Sequence, residues 1–66
     1  MECRSGYEYA ERPVALHWEG RRLEIERIEA EWRLPGGKRF RVRTRDGHLF
    51  DLFYEELADG WRINPL

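Results

Sequence analysis

The chain has 66 residues, 38% of them charged and 14% aromatic, with twelve basic side chains against thirteen acidic for a net charge of -1. That length holds one domain and no second, and the composition is too aromatic for a disordered chain and too charged for a membrane-embedded one. The near-neutral balance removes the global basic footprint of a nucleic-acid binder.

Residues 1–11, MECRSGYEYAE, show no clean hydrophobic period and read as a flexible N-terminal arm, with Tyr7 and Tyr9 placed to pin its end to the body. Residues 12–66 read as a single small β domain. Val14, Leu16 and Trp18 alternate with Ala15 and His17, the period of a half-buried strand. A turn follows at Glu19-Gly20-Arg21-Arg22. A two-residue Gly20-Arg21 loop of type II′ would give Gly20 the positive φ and set Trp18 opposite Leu23 and Leu16 opposite Ile25.

In the next segment Leu23 and Ile25 face inward, and the apolar phase then changes from odd to even at Ile28, Ala30 and Trp32. LEIERIEAEW is rich in helix formers. On a helix, however, Leu23, Ile28 and Trp32 make only a ragged stripe. A long strand with a bulge near Glu26-Arg27 restores the inward phase and bends the strand, so that it can serve two sheets.

Two hairpins come next. Pro35-Gly36-Gly37 fits a three-residue loop, with Leu34 flanking Lys38, Trp32 opposite Phe40 and Ala30 opposite Val42. Arg45-Asp46-Gly47 fits the same loop type, with Val42 opposite Phe50 and Phe40 opposite Leu52. A two-residue Asp46-Gly47 turn would instead mix buried and charged groups on one face. Glu55 to Gly60 reads as a longer loop with Leu57 tucked beneath it. Trp61 and Ile63 then form a last short strand, opposite Tyr54 and Leu52. The expected fold is all-β: a five-stranded antiparallel meander curled into a small SH3-like or OB-like open barrel.

The row KRFRVRTRDG sets Arg39, Arg41 and Arg43 on the outer face of this sheet. In the predicted register Glu31 and Asp51 flank Arg41, and Glu29 faces Arg43, which makes a cross-strand ionic ladder. Such exposed pairs are mostly solvated decoration. The remainder carries the functional signal: Arg39 opposite Phe53, Arg43 beside Leu49, and Arg33 across from Arg39. Arginine beside exposed aromatic rings suits a protein interface. It also suits a platform for single-stranded nucleic acid, where bases stack and guanidinium groups hold phosphate. Glu29, Glu31 and Asp51 oppose a phosphate backbone and favour a protein partner or self-association through Phe53 and Leu49. The candidate binding residues are therefore Arg33, Arg39, Arg41, Arg43, Leu49 and Phe53.

Other chemistry is poorly served. His17, His48 and Cys3 are scattered and lack zinc spacing, so no metal site is expected. Cys3 has no ordered base beside it, and the adjacent Glu55 and Glu56 diverge. No cofactor and no catalytic residue is expected, and the chain reads as a non-enzyme. Cys3 is the only cysteine, so a reducing cytoplasm is the simple location. No apolar run approaches ~18 residues, and the start lacks the apolar core of a signal peptide. Eleven of the twelve bases are arginine, glutamine is absent and Asn64 is the sole asparagine. That usage would suit a thermophile, and a GC-rich genome produces the same bias.

RPVALHWEGRRLEIERIEAEW, then KRFRVRTRDGHLFDLFYEE and a closing GWRI, resembles a small bacterial family of uncharacterised function. The matching positions are Pro13, Trp18, Gly20, Arg21, Trp32, Phe40, Val42, Thr44, Asp46, Gly47, Gly60 and Trp61, and the likeness spans about residues 12–63. Members are often encoded near error-prone translesion DNA polymerase genes. The resemblance implies an accessory role in DNA damage tolerance and carries over no catalytic residue. The loop between the second and third strands is shorter here than in many members. The function expected is a non-catalytic accessory binding module, with protein as partner and single-stranded nucleic acid as the alternative.

Overall fold

The structure, a computed structural model, describes residues 1–4 and 12–66, residues 3 and 4 by their backbone alone. Its strands are β1 (Glu2–Arg4), β2 (Arg12–Trp18), β3 (Arg21–Leu34), β4 (Gly37–Thr44), β5 (Leu49–Glu55) and β6 (Gly60–Pro65). Each pairs antiparallel with the next, in the order β1-β2-β3-β4-β5-β6. β2 to β6 are the expected five-stranded meander, curled into an open half-barrel. β1 adds a short edge strand within the segment read as an arm, with Cys3 opposite Pro13. Tyr7 and Tyr9 lie outside the described residues.

The 14-residue β3 explains the curl. Arg21 to Glu24 pair with β2, and from Ile25 onward the strand pairs with β4. The register shifts between Ile25 and Arg27, where the sequence pattern places a bulge, and again between Ile28 and Ala30. Each bulge inserts one residue, adds twist and bends the strand. β2 parts from β3 beyond the Ala15–Glu24 pair. The gap is a cleft of about 250 Å3 lined by Pro13, Val14, Ile25 and Ile28 among others. Val14, expected inside, is 38% exposed, and Ala15, expected outside, is buried, because the register of β2 against β1 skips Val14.

The core sits on the concave side. Leu16, Leu23, Phe40, Val42, Phe50 and Leu52 are buried together, with Trp18, Ile25, Ile28, Trp61 and Ile63 packed around them. Burying each large side chain contributes about 1.5–3 kcal/mol before chain entropy is counted. Trp61 lies 5.9 Å from Phe40 and 5.3 Å from Tyr54 between ring centroids, and Trp18 meets Phe50 edge-on at 5.8 Å. The β4–β5 and β5–β6 registers follow the apolar pattern: Phe40 faces Leu52, Val42 faces Phe50, Leu52 faces Ile63 and Tyr54 faces Trp61.

Two turns differ from the sequence reading. The first loop is Glu19-Gly20, with φ of 50° and 76°, so both central residues are left-handed, as in a type I′ turn. Leu16 consequently faces Leu23, and Trp18 faces Arg21. The second loop is Pro35-Gly36, because Leu34 pairs with Gly37 and Gly36 carries φ 84°. Proline followed by a left-handed glycine is type II geometry. Gly37 therefore belongs to β4. This two-residue turn and the second bulge move Trp32 and Ala30 off the concave face. Trp32 faces Arg39, Glu31 faces Phe40 and Ala30 faces Arg41. Leu57 is not tucked under its loop but 98% exposed at the apex. That loop is held from its ends, by Glu56 N–H donating to the Gly36 carbonyl (2.8 Å) and by Tyr54 Oη donating to Asp59 (2.5 Å).

Candidate binding face

Residues directly opposite each other in an antiparallel pair share a face, so the convex face can be followed row by row. One row is Arg27, Arg43 and Leu49. The next is Ala30, Arg41, Asp51 and Asn64. The third is Trp32, Arg39, Phe53 and Arg62. The structure thus brings five of the six candidate residues together: Arg39, Arg41, Arg43, Leu49 and Phe53. Arg33 is not among them. It pairs with Lys38 at the concave rim and reaches Glu56 at 3.6 Å.

Three residues escaped the sequence reading of this face: Trp32, Arg27 and Arg62. Trp32 is 39% exposed, and the Arg39 and Arg41 guanidinium carbons lie 5.1 and 6.0 Å from its ring centroid. This is cation–π geometry. The signal that finds Trp32 is the Pro-Gly dipeptide, the standard centre of a type II turn.

Asp51 organises the middle of the face. Arg39 Nη2 donates to Asp51 Oδ2 at 2.6 Å, and Arg41 Nε to Oδ1 at 3.3 Å. Arg39, expected to be unpaired, is therefore held from two sides, by a carboxylate and by an indole. The Asp51 side chain is only 14% exposed. Burial pushes its carboxyl up, but the hydrogen bonds and charges of Arg39 and Arg41 outweigh that, and the net displacement is below the ordinary aspartate value. Glu29 meets Arg43 at 3.5 Å, as the expected ladder has it, while Glu31 leaves the ladder for the concave side. Glu55 meets Arg62 at 3.5 Å. Phe53 is half-buried, and its ring tips over Gly37, where an added Cβ would sit 3.1 Å from Phe53 Cζ.

The β4–β5 turn holds the other polar cluster. The buried Thr44 hydroxyl donates to Asp46 and accepts from the His48 backbone N–H at 3.2 Å, and His48 Nδ1 lies 3.0 Å from Asp46. Hydrogen bonds from Thr44, then from His48, hold the Asp46 carboxyl below its usual range. Asp46 accepts from the Thr44 hydroxyl and lies against His48, so the three side chains tie the turn together. Beside it a cleft of about 320 Å3 opens between Trp18, Leu23, Leu49, Phe50 and Pro65. His17, by contrast, lies on β2, 3.4 Å from Glu2 of β1. Among the described residues no three histidine, cysteine or carboxylate side chains gather as metal ligands.

The fold and the face together define a small all-β half-barrel with an arginine–aromatic convex surface. No family model, curated protein or solved structure matches the chain. No helix among the described residues is long and apolar enough to cross a membrane.

Proposed function

We propose that this protein is a non-catalytic binding module that contacts a protein partner through the convex face of β3 to β5. The observation that carries the reading is Trp32, an indole held outside the core within cation–π reach of two guanidinium groups. Tryptophan and arginine dominate the energetic centres of protein interfaces, because each offers a large, pre-ordered contact area. Arg39 and Arg41 are already fixed by Asp51, so little side-chain entropy remains to be lost on contact. An accessory role in DNA damage tolerance rests on the family resemblance of residues 12–63 alone.

The test is capture of partners from the native organism with the wild-type chain and with a Trp32→Ala, Arg41→Glu variant. Trp32 is 39% exposed but Arg41 is half-buried against Asp51, so circular dichroism of the variant accompanies the capture to show that it stays folded. Partners lost with the variant support the face; a partner held equally by both removes it from the binding role.

The row Trp32, Arg39, Phe53, Arg62 favours a second reading, single-stranded nucleic acid stacked across the strands. A labelled oligonucleotide that shows no affinity at low ionic strength would eliminate it.

A further inference from the structure

We infer that the partner presents an acidic, extended segment, with carboxylates at alternate residues and an apolar side chain beside them. This rests on the reading of the convex face as the contact surface and adds the chemistry of what it contacts. The face carries five arginines, at 27, 39, 41, 43 and 62, against the carboxylates of Glu26, Glu29, Asp51 and Glu55. Arg27 stands directly opposite Arg43, and like charges so placed destabilise a sheet. Glu29 serves Arg43 at 3.5 Å, while Arg27 has no ion pair among the described residues. A carboxylate arriving between the two guanidinium groups removes that repulsion.

Spacing and shape agree with this. Arg39, Arg41 and Arg43 project from one face of β4 at the two-residue repeat of an extended chain, about 6.6–6.8 Å. A partner segment lying along β4 meets them with its own alternate side chains in step. Next to this column runs an apolar one. Leu34 and Trp32 are 38% and 39% exposed, and the small Ala30 leaves a step between Trp32 and Arg27. An apolar partner side chain fits against Trp32 over Ala30, while its neighbours reach the arginines.

Nucleic acid satisfies the same arginines less well. A phosphate backbone carries a charge at every step and must place some of them over Asp51 and Glu29. A peptide can set a neutral residue there and keep its acids for the Arg27–Arg43 corner.

The experiment is an NMR titration of the labelled protein with a short peptide alternating aspartate and leucine. Its lysine–leucine counterpart and an oligothymidylate serve as the other probes. The acidic peptide is expected to shift the Trp32 indole N–H and the Arg41 and Arg43 Nε–H resonances. Arg43→Glu is expected to weaken it about tenfold, equivalent to ~1.4 kcal/mol, and Arg27→Gln to weaken it less. Amides of Leu16 and Phe40 report that both variants stay folded. The inference is overturned if the acidic peptide leaves the face unshifted, or if the lysine peptide binds equally well. A captured partner that is lost with Trp32→Ala yet retained by Arg27→Gln and Arg43→Glu would keep the contact face and remove the acidic chemistry.

Discussion

Trp32 and Arg39 face each other across β3 and β4 on the outside of the sheet, with the guanidinium carbon 5.1 Å from the indole centroid. The contact is exposed, so it contributes only about 0.5–1 kcal/mol. Trp61, packed on Phe40 and Tyr54, belongs to the core. Trp32→Ala should therefore cost about 1 kcal/mol or less in urea unfolding, against about 3 kcal/mol or more for Trp61→Ala. Iodide should quench Trp32 emission first. A larger stability loss at Trp32 than at Trp61 would place the indole inside.

Gly36 and Gly37 are adjacent but constrained differently. Gly36 has φ 84° and open space around it, so Gly36→Ala meets only the left-handed penalty, about 1–2 kcal/mol. At Gly37 an added Cβ would lie 1.9 Å from the Tyr54 carbonyl oxygen, which is backbone and cannot swing aside. Gly37→Ala must push β4 away from β5 and should cost about 3 kcal/mol or more. Chemical denaturation of the two variants side by side checks the order.

Thr44 is fully buried, and its hydroxyl ties Asp46 to the His48 backbone. Thr44→Val keeps the shape and deletes the hydroxyl. The His48 N–H then loses its side-chain acceptor, and a loss of about 1–3 kcal/mol is expected. Thr44→Ser, which keeps the hydrogen bonds, should recover part of it. A larger loss in Thr44→Ser than in Thr44→Val would mean that the methyl group, not the hydroxyl, stabilises the turn.

Asp51 and Asp46 both sit below their ordinary pKa in the folded state. A carboxyl whose folded pKa is depressed binds its proton more readily when unfolded. Its contribution is therefore present in full above the unfolded value, about 3.9, and is lost as pH falls through the lower folded value. Stability should be flat near neutrality in respect of these groups and fall below about pH 4. Asp51→Asn should flatten part of that acid limb. An unchanged limb in Asp51→Asn would remove Asp51 as a source of the acid dependence.

Much of this architecture can be read from residue order alone. Alternation of apolar and polar side chains sets the strands, because a pleated chain turns successive side chains to opposite faces. The odd-to-even change between Ile25 and Ile28 marks a bulge, since only an extra residue keeps both inside. Phe40, Val42, Phe50, Leu52, Tyr54 and Trp61 determine their own registers, because any slip would bury Arg41 or Asp51. The arginine row of β4 follows from the same parity.

What alternation could not decide was the pairing of β3 with β4 beyond Ile28. Two- and three-residue turns at Pro35 differ by one step, and one step turns every side chain over. The charged neighbours Glu31 and Arg33 tolerate either side at an open rim, so burial does not choose between them. The type II turn and a second bulge make the choice, and that bulge exists only in the pairing of β3 with β4. Local order thus placed the arginines, and only the packed sheet put Trp32 beside them.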